Sequence, residues 1–381
     1  MTPDHSVLFD RGPLGAGTLF ARPRGIVRAD TPEEVAPAFA ALERARAQGL
    51  WAAGYASYEL GHVLTERLRP LLPEDRPEPL LLFGLFDGPR PAADHLARTG
   101  HLARSAEAGR LEPDWDFGRY RAAFDKAHAF IGAGDCYQVN LTFPLRGRFD
   151  GPPLGLYHAL RAGQPVGHGA FVDLGGPVLL SRSPELFFRV DLMGRIETRP
   201  MKGTQPRSAD PAEDAARRVF LARDEKNRAE NLMIVDLLRN DLARVSRPGS
   251  VKVPELFTVE SYATVHQMVS RITADLAGPQ PIARLFEALF PCGSITGAPK
   301  IRAMEIIAEL EDSPRGAYCG AIGWMAPGGA MEFSVAIRTL VAKDGALRLN
   351  VGGGVVHDST AASEYEEALW KSRFASLVPA H

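Results

Sequence analysis

The N-terminal part of the chain contains short apolar runs and one segment with apolar residues at helical spacing. Runs typical of strands occupy residues 17–20, 51–54 and 80–83. Between the first two runs, residues 33–48 repeat apolar positions at helical spacing and predict a helix. Residues 87–114 show no sustained period and predict a linker. The mixture indicates an α+β region over residues 1–110.

The next segment predicts a helix followed at once by a strand. Apolar residues recur at helical spacing over Phe117–Gly132, which ends in a glycine. Residues 137–143 then alternate strictly, and the side chains on the polar face are Gln138, Asn140 and Thr142. That face lines a pocket or meets solvent, and the pattern alone does not choose.

The rest of the chain predicts further strands and three more helices, one of which follows Pro299 with Ile301, Met304 and Ile307 at helical spacing. Strands are predicted over residues 169–190, 195–199, 317–325, 331–341 and 346–351. One long helix is predicted over residues 212–245, with Leu232 and Leu238 on its apolar stripe. A last helix begins at Ser359 or Thr360.

Lys202 lies between a proline and a glycine, which is an unusual setting for a lysine. Pro200 fixes its own φ, and Gly203 lets a ligand approach bare backbone. A lysine held in this way can meet a ligand, and Glu185 is near it in sequence. The alternative is a solvated side chain at a strand edge, which is the common situation of a lysine.

The last predicted helix carries charges on one face. Glu364, Glu367 and Lys371 recur at i, i+3 and i+7 and therefore share that face. The ordinary interpretation is a solvated stripe with an i,i+4 pair worth about 0.3–0.5 kcal/mol. The three consecutive glycines at 352–354 favour a binding site instead.

Composition and charge limit the classes of function that this protein can have. The 381 residues are 45% hydrophobic and 24% charged with formal net charge -2, so nothing attracts the whole chain to nucleic acid or to an anionic membrane. The cysteines at positions 136, 292 and 319 form no CxxC pair, which predicts free thiols in a reducing cytosol. Without a signal peptide or an apolar run of about 20 residues, we expect a cytoplasmic protein.

Several of these segments form an ordered set. They are Ser183–Glu185, Arg199–Thr204, Ala229–Asp241, Gly293–Lys300, Gly352–Val356 and Glu364–Glu367. Over about residues 115–377 they closely resemble the chorismate-utilising enzymes, the family of the large chains of anthranilate synthase, aminodeoxychorismate synthase and isochorismate synthase. Residues 1–110 resemble the family only weakly.

The resemblance implies a fold and a domain arrangement. Family members are α+β proteins in which two antiparallel β-sheets pack face to face with helices outside. We therefore expect residues 115–377 to form the chorismate-binding catalytic region. Residues 1–110 are expected to form an N-terminal α+β region that is interleaved with this core.

The resemblance also implies a magnesium ion that holds one carboxylate of chorismate, a small dicarboxylate. The family's metal ligands correspond to Glu230 and Glu367, while Glu364 would support them and Asn227 replaces an acidic residue of many members. Mg²⁺ prefers a few hard oxygen donors and keeps water and substrate in its other positions. The residues expected to bind chorismate are Gly203, Thr204, Thr296, Tyr318, Arg338, Gly352, Gly353, Gly354 and Lys371.

Two positions separate the branches of the family. Isochorismate synthases resemble one another in using a lysine base where this chain has Gln138, which disfavours addition of water. Anthranilate synthases typically have alanine where this chain has Lys202, and lysine there resembles the aminodeoxychorismate synthase branch. In that branch the lysine amine attacks ring carbon C2 while an acid, here Glu185, protonates the C4 hydroxyl, and ammonia then adds at C4. His266 corresponds to a histidine that assists proton transfer or orients the ring, and the alternative is a hydrogen-bonded core histidine.

The nitrogen source and the competing functions follow from the same resemblance. No cysteine lies in a nucleophile-elbow context, so we expect ammonia from solution or from a separate glutamine amidotransferase (glutaminase) subunit. Two other functions stay open: an anthranilate synthase component, which would eliminate pyruvate, and a catalytically silent chorismate-binding protein. Lys202 disfavours the first, and Lys202 together with Glu185, Glu230 and Glu367 disfavours the second.

Overall fold

The computed structural model describes residues 5–262 and 265–377. Within these ranges the strands are β1 (Ser6–Phe9), β2 (Thr18–Ala21), β3 (Gly25–Ala29), β4 (Trp51–Ala56), β5 (Leu81–Phe86), β6 (Arg90–Pro91), β7 (Glu107–Ala108), β8 (Glu112–Pro113), β9 (Gln138–Asp150), β10 (His168–Asp173), β11 (Val178–Ser183), β12 (Leu186–Val190), β13 (Arg195–Arg199), β14 (Met201–Pro206), β15 (Lys252–Ser261), β16 (Val265–Asp275), β17 (Gly297–Ala298), β18 (Ala321–Met325), β19 (Met331–Val335), β20 (Thr339–Lys343) and β21 (Ala346–Val355). The α-helices are α1 (Pro32–Ala47), α2 (Leu60–Leu64), α3 (Ala93–Thr99), α4 (Phe117–Gly132), α5 (Pro153–Gly163), α6 (Pro211–Arg223), α7 (Glu225–Ala243), α8 (Ile282–Leu289), α9 (Lys300–Leu310) and α10 (Ala361–Lys371). Short 3₁₀ turns occupy Glu66–Leu71, Gly100–Ser105, Gly293–Ile295 and Ser372–Leu377.

Caps set the ends of the helices predicted from periodicity. α1 begins after Thr31, whose N–H donates to the Glu34 carboxylate at 3.1 Å, with Pro32 in the first turn. α4 begins after Asp116, whose carboxylate accepts the N–H of Arg119 at 2.8 Å. Both helices confirm the predicted ranges to within one residue.

The strands form two antiparallel sheets. Sheet A has the order β17-β9-β21-β20-β11-β10-β1-β2-β6, with β7 and β8 also paired to β9. Sheet B has the order β14-β16-β13-β12-β19-β18-β4-β5-β3, with β15 also paired to β16. Residues 1–110 thus supply strands to both sheets. The linker predicted over residues 87–114 is wrong, because β6 pairs with β2 there and β7 and β8 pair with β9.

Hydrophobic cores fill the space between the sheets and beneath the helices. Buried residues of β1, β2, β4, β5 and β18 pack between the sheets, among them Val7, Tyr55 and Ile322. A second core joins sheet B to α1, α7 and α8, and a third joins sheet A to α4, α5 and α9. This arrangement confirms the predicted α+β fold of two packed antiparallel sheets flanked by helices.

The long helix predicted over residues 212–245 is in fact two helices. Asp224 interrupts it with extended backbone, and its carboxylate accepts the N–H of Asn227 at the start of α7. Leu232, predicted to face the core, is 44% exposed, whereas Leu238 is buried. No helix in the described ranges is long and apolar enough to cross a membrane.

The strand predicted over residues 331–341 is divided where the chain changes sheets. β19 lies in sheet B and β20 in sheet A, and Arg338 between them has a φ of 51°. The chain makes the opposite change between β11 and β12, at Pro184 and Glu185. The two crossings touch, because the Val335 N–H donates to the Glu185 carbonyl at 3.1 Å. Two segments that are distant in sequence therefore meet where the sheets exchange strands.

Phe286 on α8 lies in the core beneath sheet B. Its side chain is buried, and its ring centroid lies 5.3 Å from those of Phe290 and Phe333. We expect Phe286→Ala to lower the free energy of unfolding by about 3–5 kcal/mol, through lost burial and the cavity that remains. Denaturant unfolding followed by circular dichroism measures this. Phe220→Ala, at a 53% exposed position, is the matched control and should change it by less than about 0.5 kcal/mol; equal losses in the two variants would contradict the packing described.

Candidate active site

A cavity of about 520 Å³ opens beside the two crossings between the sheets. Strands β9, β14 and β21 and helices α7 and α10 supply much of the remaining wall. The predicted site residues on this wall are Glu185, Lys202, Gly203, Thr204, Glu230, Tyr318, Arg338, Gly352, Gly353, Gly354, Glu367 and Lys371. The fold thus brings side chains from distant parts of the chain into one pocket.

Glu185 is the buried acid of this cavity. It is 4% exposed, and its Oε1 accepts the hydroxyl hydrogen of Ser294 at 2.7 Å. Burial raises the pKa of Glu185 to about 7, and the Ser294 hydrogen bond and the charge of Lys202 oppose this rise only in part. A carboxyl group with such a pKa keeps its proton in a large fraction of molecules at neutral pH, so it can act as a proton donor.

A β-bulge sets the position of Lys202. The register of β14 against β16 shifts between Met201 and Thr204, and Gly203 has a φ of 82°. A Cβ at Gly203 would also come within 2.6 Å of a side chain of α7. Gln267 holds the bulge from β16, because its amide donates to the Gly203 carbonyl at 2.8 Å. The glycine is therefore needed both for its backbone angle and for the close approach of the helix.

Lys202 presents an unpaired amino group to the cavity. Within residues 5–262 and 265–377, its Nζ forms no hydrogen bond and no ion pair. The amine lies against Gly354 of β21, where a Cβ built on the glycine would be 2.9 Å from Nζ. A ligand can therefore reach this amine, and any larger residue at position 354 would displace it.

Arg338 and Tyr318 offer hydrogen-bond donors to an anion. In the part of the chain that the structure describes, the Arg338 guanidinium has no hydrogen-bond or ionic partner. Burial lowers the pKa of Arg338, but a guanidinium is basic enough to stay charged. Burial raises the pKa of Tyr318, so its phenol stays neutral and can donate a hydrogen bond. An unpaired guanidinium beside a neutral phenol suits a carboxylate ligand.

Arg315 joins two parts of the cavity wall from behind. Its buried guanidinium donates to the carbonyls of Ile295 at 3.1 Å and Asn140 at 2.6 Å, and both of these residues line the cavity. The backbone N–H of Arg315 donates to the buried carboxylate of Glu59 at 2.7 Å. Glu59 belongs to the N-terminal region, so that region helps to hold the turn that precedes Tyr318.

Carboxylates from two helices form another part of the wall. Glu230 lies on α7, and Glu364 and Glu367 lie on α10. The Lys371 ammonium is 2.8 Å from Glu367 Oε1 and lowers the pKa of that carboxyl, and it also donates to the Gly352 carbonyl at 2.9 Å. Burial raises the pKa of Glu364. These charges therefore border a cavity and are not merely a solvated stripe.

The donor set limits how a metal ion could bind. Within the described ranges, no group of three or more histidine, cysteine, aspartate or glutamate side chains could hold a metal ion. Glu230 has no ionic partner there, and Glu367 pairs with Lys371 through one of its two oxygens. Two carboxylates on one wall fit Mg²⁺, since that ion takes most of its ligands from water and substrate.

His266 does not reach the cavity. It is 1% exposed on β16, with Nε2 3.0 Å from Asp214 Oδ1 and Nδ1 2.8 Å from Ser261 Oγ. Successive side chains alternate along a strand, so Gln267 faces the cavity and His266 faces α6. The structure thus does not bring His266 to the site where a catalytic role was predicted, and its contacts match the alternative of a hydrogen-bonded core histidine.

Thr296 is also absent from the wall, and Ser294 of the same motif faces the cavity instead. Thr296 Oγ1 lies 3.2 Å from the Cys292 carbonyl and 3.3 Å from that of Gly293, so it closes the loop that carries Ser294. Ser294 lines the cavity and donates to Glu185. The sequence of the motif did not indicate whether the hydroxyl of Ser294 or that of Thr296 faces the cavity.

Wall residues that the sequence did not single out include Lys226, Gln267 and Trp370, whereas Asn140 was predicted to face either a pocket or solvent. Asn140 lies on the polar face of β9, and all three polar side chains of that face are buried. This excludes a face wetted by solvent. Lys226 and Trp370 are exposed positions on α7 and α10, and no pattern distinguishes them from ordinary surface residues.

A protonatable acid, a free amine and an unpaired guanidinium in one cavity define an enzyme-like site for a small anion. The chain matches the family model described as chorismate binding enzyme over residues 5–376. It therefore belongs to the chorismate-binding enzyme family. The match confirms the resemblance seen in the sequence and extends it over the N-terminal residues.

Relatives of two kinds are similar to the chain. Aminodeoxychorismate synthase component 1 of Klebsiella aerogenes is 48% identical over 252 residues, which are 66% of this chain and 56% of that protein. The protein of that name from Escherichia coli (strain K12) is 41% identical over 341 residues, 84% of this chain and 75% of that one. Anthranilate synthase component 1 of Thermus thermophilus is 40% identical over 351 residues, with the same shares of 84% and 75%. The chain spans just over half the length of the Klebsiella relative, and these similarities establish the family and not one of the two reactions.

Solved structures share the fold. Anthranilate synthase component I of Streptococcus pneumoniae has a TM-score of 0.79 at 24% identity, covering 100% of this chain and 93% of that one. An isochorismate synthase of Bacillus anthracis has a TM-score of 0.78 at 21% identity, covering 98% and 96%. At these identities the likeness supports the fold of two packed sheets alone.

The contact between Gly354 and Lys202 can be tested with a single methyl group. Gly354→Ala would place its Cβ 2.9 Å from Nζ of Lys202, so we expect the amine to move and chorismate consumption to fall at least about tenfold. The φ of Gly354 is not positive, and the Cβ would meet only the far ends of two flexible side chains, Lys202 and Gln138, so the melting temperature should change little. Gly167→Ala is the matched control, because no atom lies within 4 Å of its added Cβ. Unchanged consumption by Gly354→Ala would contradict the described position of the amine.

Proposed function

We propose that the chain is the synthase component of an aminodeoxychorismate synthase. It converts chorismate and ammonia to 4-amino-4-deoxychorismate and water through a covalent intermediate on Lys202. The observation that carries this proposal is the free Lys202 amine in the same cavity as Glu185, an acid with a pKa of about 7. Replacement of a ring hydroxyl by way of an enzyme amine requires these two groups, a nucleophile and a proton donor.

The cations of the cavity suit a dicarboxylate such as chorismate. Arg338 offers an unpaired guanidinium that can donate two parallel hydrogen bonds to one carboxylate. Lys371 offers a second positive charge beside the Gly352 carbonyl. With its carboxylates held by these groups, the ring of chorismate lies between Lys202 and Glu185.

The first half of the reaction uses both groups at once. Lys202 reacts in its uncharged form: the lone pair of Nζ forms a bond to ring C2, the two conjugated ring double bonds shift, and the bond from C4 to its hydroxyl oxygen breaks. Hydroxide is a poor leaving group, so Glu185 transfers its proton and the hydroxyl departs as water. The enolpyruvyl ether is untouched.

The second half releases the lysine. Ammonia forms a bond to C4, the two conjugated double bonds shift back, and the bond between C2 and Lys202 Nζ breaks. The amine returns to its free state, and the ionised Glu185 accepts a proton from the newly attached nitrogen. Glu185 therefore acts first as an acid and then as a base, which suits a pKa of about 7.

Magnesium is part of this proposal. Glu230 and Glu367 would hold the ion, with water and one substrate carboxylate as its other ligands. When bound, Mg²⁺ supplies charge neutralisation for that carboxylate and fixes its position. Glu364 lies beside Glu367 on α10 and would orient it.

Ammonia is proposed to come from solution or from a separate glutaminase subunit. The cysteines Cys136, Cys292 and Cys319 are all buried, so none of them is an accessible thiol nucleophile. The relatives named component 1 support a partner for this chain through that name alone.

An anthranilate synthase component is the second candidate. It is favoured by the 40% identity to the Thermus thermophilus enzyme over 84% of this chain. That reaction needs ammonia to reach C2 and needs loss of pyruvate from the ring. Lys202 speaks against it, because its amine occupies the approach to C2 in the arrangement proposed above.

Product analysis separates these reactions. Purified protein is incubated with chorismate, Mg²⁺ and ammonium, and a pyruvate-eliminating lyase is then added. We expect p-aminobenzoate only after the lyase, because the amination product keeps its enolpyruvyl group. Lys202→Ala should lower its formation at least about 100-fold with little change in melting temperature, since the nucleophile is lost and the fold is not.

Three other results of these assays would contradict the proposed reaction. Anthranilate without the lyase would support the second candidate, and no amine product at all would indicate a silent chorismate-binding protein. Wild-type rates in Lys202→Ala would exclude the covalent step. Omission of Mg²⁺ with a chelator present should abolish turnover, and full turnover without it would remove the ion from the proposal.

The pH dependence of turnover tests the role of Glu185. Its pKa of about 7 means that the protonated form is lost as pH rises through 7, so the alkaline limb of kcat should fall there. In Ser294→Ala the carboxylate loses a hydrogen bond that lowers its pKa, so this limb should move to higher pH. Both profiles are measured at saturating chorismate and a constant concentration of free ammonia. An alkaline limb that does not respond to Ser294→Ala would contradict the assignment of Glu185 as the acid.

A further inference from the structure

Gln138 at the start of β9 is a buried amide without a partner. Its side chain is completely buried, and within the described residues neither Oε1 nor Nε2 forms a hydrogen bond. The other two polar side chains of this strand face do have contacts: Thr142 donates to Glu311 at 3.0 Å, and the Asn140 amide lies 4.0 Å from the Cys319 sulfur. Folding alone gives no reason to bury an unsatisfied amide, because its desolvation is not offset.

The second observation is the position of this amide beside Lys202. A Cβ built on Gly354 would lie 2.9 Å from Gln138 Cδ, 3.1 Å from Gln138 Nε2 and 2.9 Å from Lys202 Nζ. The amide and the amine therefore meet the same bare backbone from the same side. Both are without partners in the described part of the chain, and Gln138 is not on the open wall of the cavity. The amide is therefore a buried neighbour of the glycine that the amine also meets, and it is not part of the cavity wall.

We propose that Gln138 is a positioning residue for Lys202: during the reaction its Oε1 accepts an N–H of the lysine amine, a bond not formed in the structure described above, and thereby aims the nitrogen lone pair at the substrate ring. This inference rests on the proposed function, in which that amine is the nucleophile. The amide is uncharged, so it orients the amine without holding it in the charged ammonium form, as a carboxylate would. After the bond to C2 forms, the nitrogen still carries hydrogen to donate to Oε1.

The surrounding charges leave this role to Gln138. The carboxylates that act on Lys202 are Glu185, Glu364 and Glu367. Glu185 is committed to Ser294 and to the departing hydroxyl, Glu367 is paired with Lys371, and Glu364 accepts the Ser359 hydroxyl at 2.7 Å. Gln138 is therefore the neutral acceptor next to the amine, held in place by the pairing of its strand with β17 and β21.

The test uses Gln138→Met, which keeps the length of the side chain and removes its amide. Protein and chorismate are mixed without ammonia, and the covalent adduct on Lys202 is followed by mass spectrometry of the intact protein. We expect the adduct to form about 10–100 times more slowly than in wild type, because a misdirected lone pair loses its attack geometry. KM for chorismate should stay within about twofold, since the amide does not face the substrate carboxylates.

Melting temperature distinguishes positioning from a structural role. Gln138→Met should be as stable as wild type or more so, because an unsatisfied buried amide is removed. Thr142→Val on the same strand face is the matched control: it should lose stability with its bond to Glu311 and keep the wild-type rate of adduct formation.

Three results would overturn the positioning role of Gln138. A wild-type adduct rate in Gln138→Met would overturn it and would indicate an amide satisfied by buried water. A slow rate accompanied by a large fall in melting temperature would also overturn it, because damage to the fold would then explain the loss. If wild type itself forms product but no adduct, the covalent step of the proposed function fails, and the inference fails with it.

Discussion

The exchange of the chain between two packed sheets is the constraint on which the site depends. At Glu185 the chain leaves sheet A for sheet B, and at Arg338 it makes the return. A residue at such a crossing belongs to neither ladder, so its side chain can point into the gap between the sheet ends. The contact of the Val335 N–H with the Glu185 carbonyl fixes the two crossings against each other. The two crossings therefore place an acid, Glu185, and a guanidinium, Arg338, in the same cavity, and no separate loop is needed to carry either side chain.

Buried charges behind the wall keep this arrangement rigid. Arg315 is 2% exposed, and each of its three guanidinium nitrogens donates to Glu311 or to a wall carbonyl. Glu59 and Glu78 bind the backbone N–H groups of the turn that follows, at 2.7 and 3.2 Å. Both acids come from the N-terminal region, whose strands lie in both sheets. That region is thus part of the machinery that shapes the site, although none of its described residues, 5–110, lines the cavity.

Much of the site could be predicted from the sequence, because motifs for chemistry are short and local. Nine of the twelve predicted residues that line the cavity lie in such motifs, whereas Tyr318, Arg338 and Lys371 lie outside them and were predicted from the family resemblance. Thr296 and His266 were misplaced, because a motif does not say which of its side chains faces inward; strand alternation and loop closure decide that. The long predicted helix is divided at Asp224, a residue type that often begins a helix. The apolar spacing continues on both sides of Asp224, so periodicity alone predicted one helix there. The change of sheet at Arg338 had no local signal, because it depends on the partners that β19 and β20 find in the folded protein.

The position of α10 in the chain has a consequence for biosynthesis. Glu367 and Lys371 complete the wall from near the end of the matched region, whereas β9 supplies its part more than 200 residues earlier. A nascent chain that has emerged only as far as β20 therefore has both crossings and no complete pocket. Substrate cannot act as a template for folding during translation, and its stabilising effect is confined to the finished polypeptide.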